Sequence, residues 1–171
     1  LSRFSSNDLL FYLAVILAAA PVWWFKFFGS LDGPAHLHNA NLLQLVVTGT
    51  NPVIDTFYKV NPVPVPNWLS HIILSLLCFI FPGFLAEKML LLLYVIGLPV
   101  IFRKLLIRFS PENHLFSYLI IPFTYTFMFY LGLYNFCLSL ILFFAAIFYW
   151  FTMVDNINTK NIFLMLLFVT F

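Results

Sequence analysis

Residues 9–25, LLFYLAVILAAAPVWWF, decide the fold: 17 uncharged residues lie between Asp8 and Lys26 and end in Trp23, Trp24 and Phe25. At about 1.5 Å per residue the run reaches roughly 25 Å, close to the ~30 Å of a bilayer core, and tryptophans collect at membrane–water interfaces. It reads as a transmembrane helix. Asp8 stands where a signal peptide would carry basic residues, and no small-residue cleavage site follows, so the run reads as a retained anchor. Pro21 is expected to kink the last turn, because its missing N–H removes a ladder bond.

The rest of the chain has the same character. Of 171 residues, 63% are hydrophobic and 8% charged, with a mean hydropathy of +1.02, against roughly a quarter charged in an ordinary soluble domain. A water-facing globule is excluded. Eight Lys and Arg against six Asp and Glu, dispersed along the chain, make no basic patch for nucleic acid. Cys78 and Cys137 lie in apolar runs without metal-ligand or redox spacing and read as packing residues. The chain starts at Leu1 and stops at Phe171 inside the apolar run NIFLMLLFVTF, too short to span a bilayer, so a fragment of a larger protein is expected.

Charge placement sets the expected topology. RKLLIR, with Arg103, Lys104 and Arg108, belongs on the cytoplasmic side by the positive-inside rule, as does Arg3 near the N-terminus. An even number of crossings must separate them. The first helix gives one and Phe84–Phe102 the second, with Glu87 and Lys88 read as an interfacial anchor at its outer edge. Trp68–Phe81, only 14 residues before Pro82 and Gly83, is then a half-helix dipping in from outside. His114 and Asp155 enclose 40 uncharged residues, enough for two spans joined near Gly132–Asn135. The expected fold is therefore all-α: a polytopic transmembrane helical bundle with amphipathic surface helices in the first extracytoplasmic loop. Spans are expected at about 9–26, 84–102, 114–131 and 133–152, with a truncated one at 161–171. The N-terminus is cytoplasmic and the loop 27–83 extracytoplasmic.

That loop holds the densest polar segment, SLDGPAHLHNANLLQ. Gly33 and Pro34 can open a surface helix over 34–48 and Gly49 can close it, with His38, Asn41, Gln44 and Thr48 along one polar line. The following NPVPVPN reads as an extended connector. Asp32 and His36 are four apart and share a helix face, where such a pair can bind a divalent cation or act as a base with a positioned partner. Equally, Asp32 can simply cap the helix by accepting N–H bonds from Ala35 or His36. His38 lies about 200° round the helix from His36 and does not join them. His71, an ionisable group at the start of the half-helix, can line the cavity under the loop or bond at the interface, and its place three residues after Trp68 favours the interfacial reading. Tyr134 and Asn135 fall at the second outer turn, on the same face as the loop.

An anchor ending in aromatics, an outer Asp in the context DGPAHLHNA, a Pro-rich stretch and a short half-helix together resemble the N-terminal region of GT-C glycosyltransferases. That family includes protein mannosyltransferases and the aminoarabinose transferases of lipid A. The resemblance covers most of the chain as architecture and DGPAHLHNA as motif. It implies a membrane enzyme that moves a sugar from a polyprenyl-phosphate donor to an acceptor at the outer face, with membrane lipid as surroundings. Asp32 matches the family's essential first-loop carboxylate, with His36 beside it. His38, Asn39, Asp55, Lys59, Tyr134 and Asn135 are the candidate substrate-binding residues; Lys59 can neutralise a lipid phosphate, although a lone lysine in an outer loop is more often solvated. Asp55 is the candidate second carboxylate, since LGLYN at the second outer turn carries none. A divalent cation on Asp32 and His36 is the only cofactor implied. The alternative is a transporter or scaffold that binds a ligand in the outer loop without bond-making. The uncharged runs from Leu115 to Met153, with polar groups gathered at one surface, favour surface chemistry over a conduction path.

Overall fold

A computed structural model describes residues 6–61, 63, 67–154 and 158–170, and among them all regular structure is helical. The long apolar helices come first. Helix α1 (Ser6–Ala18) continues across a break into α2 (Ala20–Trp24), a run of 19 residues with mean hydropathy 1.5. Helix α6 (Gly83–Phe109) has 27 residues at 2.2, and α8 (Tyr134–Met153) has 20 at 2.1. These three are long and apolar enough to cross a membrane. A fourth candidate is a pair of segments bent by 45°, Pro111–Ile120 and Pro122–Leu131. It is built of 3-10 helices over Pro111–Ile120 and Pro122–Thr124, followed by α7 (Phe127–Leu131). The shorter helices α3 (Gly33–Thr48), α4 (Pro52–Phe57) and α5 (Leu69–Cys78) lie between α2 and α6, and α9 (Thr159–Thr170) follows α8.

Prolines set the breaks. Pro21 lies in the first turn of α2, where Val22 N–H bonds the Ala19 carbonyl at 3.1 Å, leaving the Ala18 carbonyl free to accept from the Tyr125 hydroxyl at 2.6 Å. Pro122 stands at the bend of the second pair for the same reason. Helix α6 does not stop at Phe102. It runs on to Phe109, because nothing interrupts it before Ser110–Pro111 and basic residues suit a helix C-terminus, so the RKLLIR segment lies within the helix. Glycine closes α3, whose C-cap Gly49 has φ 59° and donates to the Leu45 carbonyl at 3.0 Å. Most of the expected Pro-rich connector, together with Arg3 and Asp155, lies outside the described residues.

Polar contacts fix the directions of the long helices. Asp8, at the start of α1, pairs with Arg103 near the end of α6 at 2.7 Å, while the Phe25 carbonyl just past α2 accepts from Lys88 at the start of α6 at 2.5 Å. The two run antiparallel. Tyr134 at the start of α8 donates to Glu87, and Arg108 late in α6 donates to the Phe151 carbonyl late in α8, so α6 and α8 run parallel. The bent pair returns between them. The described polar groups thus collect at two ends, one with Arg103, Arg108 and His114, the other with Asp32, Glu87, Lys88 and Tyr134. Between the ends lies an apolar core of Val22, Leu74, Leu90, Leu91, Tyr94, Leu98 and Phe129.

The charges on α6 are not interchangeable. Glu87 and Lys88, expected at an interface, are each only 4% exposed. Adjacent helix positions point about 100° apart. One therefore meets Tyr134 and the other the Phe25 carbonyl and the Trp23 ring, 5.0 Å away. Arg103 is 3% exposed, bonded to Asp8, to the Ser117 hydroxyl at 2.6 Å and to the His114 carbonyl at 3.3 Å, over the Phe11 ring. Lys104, next to it, is exposed. Arg103→Ala is expected to cost about 3 kcal/mol of stability, the lower end for breaking a buried pair because Asp8 is 30% exposed. Lys104→Ala should cost less than about 0.5 kcal/mol. Unfolding of both variants in detergent measures the contrast, and equal losses would refute the anchoring role of Arg103.

Candidate functional site

The site forms where the turn after α2 meets the start of α8. Leu31 and Asp32 donate their backbone N–H groups to the Tyr130 and Leu131 carbonyls at the end of α7, both at 3.0 Å. These bonds tie the Ser30–Gly33 turn to α7. Gly33 is buried beneath it, and a Cβ there would collide with the Ser30 hydroxyl, a Glu87 carboxylate oxygen and the Tyr134 hydroxyl. Gly132 faces it from α7, with φ 81° and its α-carbon so close that a Cβ would lie 2.8 Å from the Gly33 nitrogen. Two glycines let two backbones touch, and the acidic side chain between them is left outside.

Asp32 occupies the N-cap position of α3 but its side chain makes no cap bond, which corrects the capping reading. The backbone does that work: φ −95° and ψ −7° keep the residue near helical geometry, and its carbonyl receives the His36 N–H at 3.0 Å. The residue is exposed. His36, one turn on, is near enough to feel its charge. The pairing with His36 extends further than the four-residue spacing implies. His36 Nδ1 lies 3.0 Å from His71 Nε2, and His71 Nδ1 lies 3.2 Å from the Asn67 carbonyl. A carbonyl only accepts, so His71 carries its proton on Nδ1 and, when neutral, receives one from His36 on Nε2.

His71 is held from α8. Asn67 sits at φ 68°, unusual for a side chain with a Cβ, and this turns its carbonyl toward both His71 and the Asn135 amide, the latter at 2.8 Å. Asn135 also accepts from the Ser70 backbone N–H at 2.8 Å, tying down the start of α5. His71 then forms one wall of a groove of about 330 Å³. Its polar rim is Asn39, Lys59 and Asn61, and its apolar wall includes Leu42, Val46, Val60 and Trp68.

The candidate residues therefore divide. Asp32, His36, Asn39 and Lys59 belong to one region, linked through His71 and the groove. His38 is exposed on another side of α3. Asp55 is not brought to Asp32: its carboxylate lies beside Gly49 at the far end of α3, whose 16 residues span roughly 24 Å. Tyr134 is 2% exposed, with its hydroxyl held inside the protein. Asn135 acts as a brace for α5. His71, expected at the interface or lining the cavity under the loop, bonds His36, and Gln44 on the polar line of α3 donates to the Cys78 carbonyl at 3.3 Å. No spacing links positions 35 residues apart; the only sequence signal for His71 was an ionisable group at the head of an apolar helix. Asp32 and His36 offer two metal-ligand types, but among the described residues no three His, Cys, Asp or Glu side chains converge into a set that could hold an ion.

Burial pushes the His36 imidazole below its ordinary value of 6.5; the neighbouring His71 adds to the shift, and the Asp32 charge and the Gly132 backbone oppose it. Between the lowered value and 6.5, the unfolded chain binds more protons than the folded one, so stability rises with pH through that window. The contribution is complete above the ordinary value and is lost as the pH falls through the folded one. Unfolding midpoints in detergent should drop between pH 7.5 and pH 5, and the drop should shrink in His36→Gln. An identical drop in both proteins would assign the effect to another group.

Compared with protein-family models, with curated proteins and with solved structures, the chain finds no match.

Proposed function

We propose that the chain is the N-terminal region of a multi-pass membrane glycosyltransferase of the GT-C type, which moves a sugar from a polyprenyl-phosphate donor to an acceptor at the extracytoplasmic face. One observation carries the reading: an exposed carboxylate, unused by its own helix, stands beside a bonded histidine pair that opens onto a groove with an apolar wall and a lysine on its rim. That arrangement suits a lipid-linked anion. The apolar wall accepts the start of the prenyl chain, and Lys59 offsets the phosphate charge.

In the proposed step the acceptor hydroxyl attacks the anomeric carbon of the sugar and Asp32 takes its proton. The bond from that carbon to the phosphate oxygen breaks, and the electron pair leaves with the lipid phosphate. Inverting displacement of this kind needs one base, without the paired carboxylates of soluble glycosidases. His36 is the partner of that base. No step runs through a cation, because Asp32 and His36 gather no third ligand among the described residues. The antiparallel course of α1 and α6 supports a topology in which α1 crosses outward and α6 returns, with the Arg103 end cytoplasmic and the Asp32 end outside.

The test is sugar transfer by the full-length protein, reconstituted in liposomes with a radiolabelled polyprenyl-phosphate sugar. Transfer that depends on Asp32 supports the proposal. Ligand binding in the groove without any transfer would favour the binding-protein alternative.

A further inference from the structure

Beneath Asp32 lies a chain of side chains that the proposed reaction does not use. Glu87 is 4% exposed on an otherwise apolar helix face and accepts the Tyr134 hydroxyl proton at 2.6 Å. With that proton committed, the Ser30 hydroxyl donates to the Tyr134 oxygen at 2.9 Å. Ser30 and Asp32 belong to one four-residue turn, and Gly33 within it has no room for a Cβ because these same three groups converge there. A buried carboxylate is costly unless it is bonded, so its retention against Tyr134 calls for a purpose beyond packing. The backbone bonds from Leu31 and Asp32 to α7 fix the turn on one side, and the Tyr134 hydroxyl fixes it on the other.

We infer that Tyr134 and Glu87 are positioning residues: Glu87 orients the Tyr134 hydroxyl, which holds the Ser30–Gly33 turn and thereby aims the Asp32 carboxylate. Tyr134 is too deeply buried to touch a substrate, so its part in the site is exerted through the turn. This inference rests on Asp32 as the acting carboxylate of the proposed transferase.

The experiment has two arms on the full-length protein. In the first, a nitroxide is attached at Asp32→Cys, with Cys78→Ala and Cys137→Ala removing the native thiols, and its motion is read by electron paramagnetic resonance. A control label sits at Thr48→Cys at the other end of α3. The expected result is an immobile label at position 32 that gains a mobile component in Tyr134→Phe, with no change at position 48. Glu87→Gln keeps an acceptor for the Tyr134 proton and should keep the label immobile, whereas Glu87→Leu should release it. In the second arm, with Asp32 intact, Tyr134→Phe should lower kcat by about tenfold to a hundredfold with the donor KM within about twofold, since misplacing a reacting group by an ångström costs on this scale. Glu87→Gln should restore most of the rate that Glu87→Leu loses.

A label at position 32 indifferent to Tyr134→Phe overturns the inference, as does an unchanged kcat in an active enzyme. If the wild-type protein transfers no sugar while the label responds as expected, the transferase reading fails and the hold on the turn stands. If transfer depends on Asp32 but neither kcat nor the label responds to Tyr134, the reverse holds.

Discussion

Asp32→Asn in the full-length protein is expected to lower sugar transfer by about 10²- to 10⁴-fold, the contribution typical of a positioned general base. The substitution keeps the shape of the side chain and removes its ability to take a proton. Stability should scarcely change, because the carboxylate is exposed, makes no cap bond to α3 and supports no other described element. This separates the prediction from a folding defect. A capping residue would instead lose stability when replaced, typically about 1 kcal/mol for alanine. Donor binding should also persist, since Lys59 and the apolar wall of the groove remain. A variant that transfers sugar at the wild-type rate would sink the proposed role of Asp32.

Gly33→Ala should have the second largest effect, although it adds a single methyl group. The new Cβ would fall among the Ser30 hydroxyl, the Glu87 carboxylate and the Tyr134 hydroxyl, all held in place by one another. None is the loose end of an exposed side chain. Either the bonds among them break or the Ser30–Gly33 turn lifts, and overpacking of this kind costs about 1–3 kcal/mol. A lift of an ångström would move Asp32 with it and lower transfer by roughly 10²-fold. Gly29→Ala is the matched control, since a Cβ there meets nothing within 4 Å. Thermal unfolding and transfer rate measured side by side give the result. A Gly33→Ala protein as stable and active as the Gly29→Ala control would mean that the convergence of polar groups beneath the turn is unimportant.

Much of the helical layout was legible because the signals were local. Lengths of uncharged sequence set the long helices, Pro21 set the break between α1 and α2, and Gly49 closed α3. RKLLIR marks the expected end of the second span, yet α6 continues through it, since a buried arginine paired with a carboxylate such as Asp8 does not end a helix. Asp32 and His36 stood out because polar residues four apart on a helix must share a face. The bonds of His71 and Glu87 did not, and Tyr134 stood out only as a candidate substrate contact at an outer turn, because nothing local distinguishes a bonded polar group from one at an interface.

The sequence by itself determined that the chain is apolar and helical and that its densest polar segment surrounds Asp32, because composition and periodicity act over a few turns. Only the tertiary structure decided which charges are buried, that His71 rather than His38 meets His36, and that Asp55 lies a helix length away from Asp32. Those outcomes depend on how α3, α5, α6 and α8 come together. A hydrogen bond between residues tens of positions apart leaves no trace in the spacing of either one.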